Sequence, residues 1–388
     1  MKGRTCSISL HIADFWRKIK EKFRIGSKKS AIGLIIVFFV FIATIVGIII
    51  TTQNNEDKES DIAMDFNNIY DEQEVVVDNN SGLNIDGNKK EDKENLFIVP
   101  QKGERPYAVN IDNEGDKCIP QGGIDRAQII YEIIVEGGET RFMALFWGTD
   151  PEMVGPVRST RHYFLDYVLE HDAIHVHFGW SPKAINDIYK LKINNINGVA
   201  NGGEIFWDIT NDANNWQDSY TSMAKIRKYA ESVKYRTTTD KEPVFLYNGE
   251  DVEIPDGINA ETVKLYYSQY NTCEYAYDYT FGNYIRFRKG KSHIERVTGR
   301  QLRAKNIIIQ FVNNYTIPGD TEGRQEVETV GNGDGWFITL GKAEKIKWSK
   351  ESRSEPTKYM DENGDQIMLN PGQTWIQIIS PYSKVEIQ

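Results

Sequence analysis

Residues 129–146 read IIYEIIVEGGETRFMALF. Two runs of β-branched, aliphatic and aromatic residues, Ile129–Val135 and Arg141–Phe146, flank the glycine pair Gly137-Gly138. Apolar runs of this length bounded by glycine predict strands. Upstream, Tyr107–Ile111 has the same character, and Gly122-Gly123 separates it from the first run. Downstream the pattern alternates. Arg158 to Leu169 predicts a helix and Ala173–Phe178 a strand. Ser181-Pro182 then opens a helix to about Tyr189, because serine accepts from the first-turn N–H groups and proline at the first helical position lacks the N–H that would go unpaired. Ser219–Ser232 predicts another helix. Residues 101–235 therefore read as a mixed α/β domain.

The polar stretch Tyr235–Lys241, YRTTTDK, reads as a linker. Beyond it, residues 242–388 are almost purely strand-like: Pro243–Tyr247, Val263–Tyr267, Glu274–Thr280, Tyr284–Arg288, Asn306–Val312, Gly335–Leu340, Lys345–Trp348 and Thr374–Ile379. Asn363-Gly364 between extended flanks predicts a hairpin turn. Asp361, Asn363 and Asp365 are spaced as in a calcium loop, but the twelfth position is Gly372 where such a loop needs a bidentate Glu. The expected fold class is α+β: a mixed α/β domain, then a mostly antiparallel β domain, preceded by one transmembrane helix.

That helix is Ala31–Thr52, AIGLIIVFFVFIATIVGIIITT, without a charge. As a helix it would be about 33 Å long, enough to cross the hydrocarbon core. Residues 1–30 carry nine Lys/Arg against two Asp/Glu, and residues 53–100 carry four against thirteen. Basic residues before the span place the N-terminus in the cytoplasm and the rest outside, at the cell membrane, as a single-pass protein. A cleaved signal peptide would have a shorter apolar core and a small-x-small site, which Ile50–Asn54 does not offer. Residues 8–23 are either a basic amphipathic helix on the inner leaflet or an orienting tail. Residues 53–100, acidic and Asn-rich, read as a solvated tether with a random-coil span of about 40 Å. The chain has 388 residues and a net charge of −10, a balance that weighs against nucleic acid as a partner. Cys6 falls inside, whereas Cys118 and Cys273 fall outside, either bridged or as two free thiols.

Several motifs together resemble a known family. They are Arg105–Asn113 (RPYAVNIDN), Val135–Phe142 (VEGGETRF), Gly155–Arg161 (GPVRSTR), His177–Pro182 (HFGWSP), Gly341-Lys342, Trp348-Ser349-Lys350 and Asn370–Trp375 (NPGQTW). In this order they are similar to the YerB-like family of bacterial lipoproteins, a two-part domain of unknown function. The resemblance covers nearly all of residues 100–388. It implies a bacterial, mostly Gram-positive, extracytoplasmic protein and brings no established reaction. Two departures stand out: relatives are often anchored through a lipidated cysteine, and where they tend to show Pro-His-Asn this chain has Trp216-Gln217-Asp218.

Candidate chemistry centres on Asp112, Glu136, Arg141, Arg158, Ser159, Arg161 and His177. Arg158, Ser159 and Arg161 follow the Gly155-Pro156 turn, so backbone N–H groups and two guanidinium groups could hold a carboxylate or phosphate. Alternatively Arg158 pairs internally with Glu132, Glu136 or Asp112. His175 and His177 share a strand face, the geometry of a two-histidine metal pair, with Glu136 or Asp112 as a third ligand; a buried histidine bonded to backbone is the competing reading. Glu136, Glu139 and Asp112 could supply the two carboxylates of glycoside hydrolysis. No nucleophile elbow or P-loop occurs. Tyr275, Tyr277 and Tyr279 form a row suited to stacking or to packing.

The sequence thus predicts a membrane-anchored accessory protein of the cell envelope. It would bind a wall polymer or a membrane-bound wall-synthesis partner and use no metal, cofactor or catalytic residue. An envelope hydrolase, metal-assisted and centred on His177, Glu136 and Arg158, is the alternative.

Overall fold

A computed structural model describes residues 97–388. The expected basic segment 1–30, the helix at 31–52 and residues 53–96 of the tether lie outside the described residues. Among the described residues no helix is long and apolar enough to cross a membrane.

The first half supplies β1 (Tyr107–Asn113), β2 (Ile129–Ile134), β3 (Thr140–Phe146), α1 (Phe164–Glu170), β4 (Ile174–His177), α2 (Pro182–Lys190), β5 (Asn195–Asn197) and α3 (Met223–Ser232). The second half supplies β6 (Thr262–Tyr266), β7 (Thr272–Asp278), β8 (Asn283–Arg288), β9 (Asn306–Phe311), β10 (Gly331–Thr339), β11 (Lys342–Lys350), β12 (Thr374–Ile379) and β13 (Val385–Ile387). Shorter strands are named by residue. The molecule is mixed α/β with strands predominating.

An 11-stranded sheet runs β11-β10-β9-β12-β2-β3-β1-β4-β5, with Ile258–Asn259 and Lys358–Met360 on β11. The polar stretch at 235–241 is therefore not a break between separate sheets. β12, the last long strand in the chain, lies parallel to β9 on one side and parallel to β2 on the other, with Thr374 opposite both Asn306 and Ile129. All six of its residues are buried, so both faces and both edges need partners, and each half of the chain supplies one edge. Most other pairings of the second half are antiparallel, although Leu246–Tyr247 runs parallel to Met368–Leu369; β6, β7, β8 and β13 form most of a 6-stranded sheet with antiparallel pairings.

The large sheet is covered on both faces. Ile111, Phe142, Ile309 and Trp375 share one core with Val263, Leu265, Tyr275 and Tyr284 of the smaller sheet and with Met223 and Ile226 of α3. Tyr131, Met143, Leu145 and Ile376 share the other with Phe164, Tyr167 and Val168 of α1 and Ala184 and Ile188 of α2. Between the sheets a buried ion pair interrupts the apolar contact. Arg286 Nη2 donates to Glu132 Oε2 at 2.6 Å, and its guanidinium lies 4.2 Å from the centre of the Trp375 ring.

Two expected helices are shorter than their sequence pattern. Residues 158–160 are extended because their backbone is used elsewhere. Arg158 N donates to Asn110 O, Phe178 N donates to Arg158 O, and Thr160 bridges Trp180, so α1 begins only at Phe164. Ser219–Tyr220 pairs with Trp207–Asp208, and Ser222 then caps α3, its Oγ accepting from Lys225 N at 3.3 Å. Ser181 caps α2 in the same way through Ala184 N. At the Asn363-Gly364 turn, Asp361 Oδ1 accepts from Asn363 N and Asp365 N, so the acidic triplet closes a turn. Cys118 and Cys273 are both free and buried, and burial pushes each thiol up to about 12.

Candidate functional site

β1 changes neighbours halfway along its length, and this builds the site. Tyr107–Val109 pair with β4, whereas Ile111 bridges Val157, with Asp112 N donating to Pro156 O and Arg158 N to Asn110 O. On its other edge Asp112 stands opposite Arg141 of β3. Side chains alternate across a strand, so with Val157 and Ile111 in the inter-sheet core, Arg158 shares the opposite face with Asp112.

Asp112 has no solvent exposure and sits at the floor. Arg158 Nε lies 3.1 Å from Asp112 Oδ2, and Arg141 Nε lies 4.0 Å from Oδ1. Neither Nε makes a well-aligned hydrogen bond. Gln217 Nε2 donates to Asp112 Oδ2 at 2.9 Å and to Glu114 O at 2.7 Å, tying the 209–218 loop over the cluster. Arg141 Nη1 donates to Ser159 O at 2.9 Å. Above them Glu114, with its side chain 42% exposed, faces both arginines loosely: Oε2 is 3.4 Å from Arg141 Nη2 and 3.7 Å from Arg158 Nη2. Trp216 forms the rim, 70% exposed, with the Arg158 guanidinium 6.0 Å from its ring centre.

Beside this cluster Arg161 grips Glu136 through two bonds, Nε to Oε1 at 2.6 Å and Nη2 to Oε2 at 2.7 Å. The Glu136–Gly138 turn that presents Glu136 requires a left-handed residue, and Gly137 at φ 66° provides it. Burial alone would raise the Glu136 carboxyl, but its bonds to Arg161 outweigh that and hold it below the ordinary range. For Arg141, burial disfavours the charged form, Arg161 adds repulsion and Asp112 opposes both, leaving its pKa below the usual value.

Of the residues predicted from sequence, Asp112, Arg141 and Arg158 converge directly, Ser159 holds Arg141 through its carbonyl, and Arg161 with Glu136 forms the adjoining closed pair. The backbone N–H groups expected to complete an anion site are instead spent on sheet bonds, Val157 N to Ser219 O, Arg158 N to Asn110 O and Thr160 N to Gly179 O. Ser159 Oγ donates to Phe178 O.

His177 is buried, with Nδ1 2.8 Å from Gly179 O and Nε2 3.1 Å from the side-chain amide of Asn195. His175 stacks on it at 5.0 Å between ring centres, and burial lowers both imidazoles, so they are neutral near pH 7. No group of three or more potential ligands for a metal occurs among the described residues. The tyrosine row runs from buried Tyr275 to Tyr279, 70% exposed, so one strand face passes from core to surface. Glu114 was not singled out from sequence, and only its place directly after the RPYAVNIDN motif pointed to it.

Residues 95–236 match the family described as "Protein of unknown function (DUF3048) N-terminal domain", and residues 263–376 match the DUF3048 C-terminal domain. The chain is 32% identical over 278 residues to "Putative lipoprotein YerB" of Bacillus subtilis (strain 168), covering 71% of this chain and 81% of that protein. The crystal structure of the YerB protein from Bacillus subtilis superimposes with a TM-score of 0.65 at 30% identity, over 74% of this chain and 94% of the other. The first match ends within the polar stretch after α3 and the second begins at residue 263, although the strands of both join in one sheet. The chain belongs to the YerB-like family, built from the DUF3048 N-terminal and C-terminal domains.

Proposed function

We propose that this protein is a membrane-anchored, extracytoplasmic accessory protein of the cell envelope. It binds an anionic wall polymer or a wall-synthesis partner through Arg141 and Arg158. The carrying observation is that two guanidinium groups, fixed from below by Asp112, converge on one carboxylate, Glu114, at separations longer than the roughly 2.7–2.9 Å of a strong charge-assisted bond. A better-placed carboxylate or phosphate gains both arginines by replacing it. Membrane anchorage is supported by the lipoprotein name of the relative and by the uncharged run 31–52, which would enter the bilayer with its N-terminus cytoplasmic.

The hydrolase reading draws less support. Glu136 is held as a carboxylate by Arg161, and both His177 nitrogens are engaged, so neither is poised to move a proton. Co-sedimentation of the full-length chain with purified wall material, and its co-purification with membrane proteins, test the proposal. Retention that weakens with added salt and in Arg158→Gln is expected. Retention on neither material overturns it.

A further inference from the structure

The loop that seats Gln217 on Asp112 also fixes the posture of its neighbour, Trp216. Ile209 N donates to Asp218 O, Asn215 N to Asp212 O and Gln217 N to Asn215 Oδ1. Gln217 Nε2 then bonds both Asp112 and Glu114 O. The indole is thus positioned by its neighbours' bonds while remaining 70% exposed, directly beside the Arg158 guanidinium. An exposed aromatic ring offers an apolar face on which the C–H face of a sugar ring can stack. An arginine pair offers a planar fork for a carboxylate or phosphate. Arg141, its side chain only 2% exposed, turns Nε toward Asp112 at 4.0 Å, and toward the rim the two guanidinium groups meet Glu114 Oε2 only at 3.4 and 3.7 Å, so the outward side of the fork is incompletely satisfied from within.

Resting on the anion-site reading above, we infer that the ligand is a glycan whose sugar units carry an acidic substituent. The sugar ring stacks on Trp216, and the acidic group takes the position of the Glu114 carboxylate between Arg141 and Arg158. Glu114 is the internal occupant that the ligand displaces.

Calorimetric titration of the full-length chain in nanodiscs tests this with four probes: oligogalacturonate, glucose 6-phosphate, a neutral maltooligosaccharide and inorganic phosphate. Either acidic sugar is expected to bind more tightly than phosphate alone, and the stronger of the two identifies carboxylate or phosphate as the substituent. Trp216→Ala, a change at an exposed ring, is expected to weaken acidic-sugar binding about fivefold to tenfold while leaving phosphate binding unchanged. Trp216→Phe retains most of the wild-type affinity, and Glu114→Gln strengthens binding of every anion. If the acidic sugars bind no better than phosphate, or Trp216→Ala changes nothing, sugar stacking is wrong while the anion site stands. Equal binding of the neutral sugar, or no binding of any anion, removes the anion site and this inference with it.

Discussion

A charge with no access to water persists only where several groups satisfy it, and Glu170 at the end of α1 is such a case. Its carboxylate accepts from Lys350 Nζ at 2.6 Å, Tyr131 OH at 2.8 Å, and Thr357 through N at 3.0 Å and Oγ1 at 2.7 Å. Removing the cation strands the anion, so Lys350→Met is expected to cost about 3–5 kcal/mol in urea unfolding. Glu170→Gln/Lys350→Met should cost less than Lys350→Met alone; an equal or larger loss would sink this reading. Next to it, burial is the largest influence on His171, outweighing the opposing pull of Glu170, and lowers the imidazole from 6.5 to about 4. The unfolded chain therefore takes up a proton that the folded protein refuses across that window, so stability falls as pH drops from 6.5 to 4, by about 3 kcal/mol from this group. His171→Gln can still donate to Tyr131 OH but does not titrate, and unfolding measured at pH 7 and pH 4.5 should show a smaller fall than in wild type. Identical falls would assign the acid sensitivity elsewhere.

At the scale of elements, strands were more legible than helices. The sequence predicts β1, β2, β3, β9 and β12, because strands buried on both faces read as mainly apolar runs, here interrupted by polar residues such as Glu132 or Gln377. The 158–163 segment carries a helix-compatible pattern, yet long-range bonds to Asn110 and to the 178–180 segment hold its start extended, and no local signal encodes those partners. The same reason limited the site. Asp112 and Arg158 lie in distinct motifs, and their pairing is one of the alternatives the sequence offers, but the choice of Asp112 over Glu132 or Glu136 depends on β1 exchanging β4 for the 156–158 segment. Trp216 and Gln217 were visible only as a departure from the family pattern. Close strand packing makes a sharper claim at Gly335, where β10 faces Gln310 of β9. A methyl group there would lie 2.4 Å from Ile309 O, so Gly335→Ala must push the strands apart, costing about 1–3 kcal/mol. Gly249, with nothing within 4 Å of its added carbon, is the control, and Gly249→Ala should shift stability by less than about 0.5 kcal/mol. Equal thermal shifts for the two would refute the packing argument.

For the folded region as a whole, the position of β12 decides how the molecule unfolds. The family is recognised as two consecutive sequence domains, and the polar stretch after Ser232 invites a cut there. β12 is nevertheless the only long strand of the second half that pairs with β2, among the described residues, and it does so while also pairing with β9. Its Trp375 joins the core between the sheets, and its Ile376 and Ile378 join the core beneath α1 and α2. Taking β12 away would expose the edges of two buried parallel strands and open both cores at once. Deleting residues 374–388 is therefore expected to abolish the fold of residues 97–235 as well as that of the second half. Calorimetry of the intact protein should show one cooperative transition for the described region. Cleavage at a protease site engineered into 235–241 should leave two fragments that stay associated until heated through that transition. Two separate transitions, or fragments that part under native conditions, would mean that the halves fold as independent domains and that the shared sheet is an interface between them.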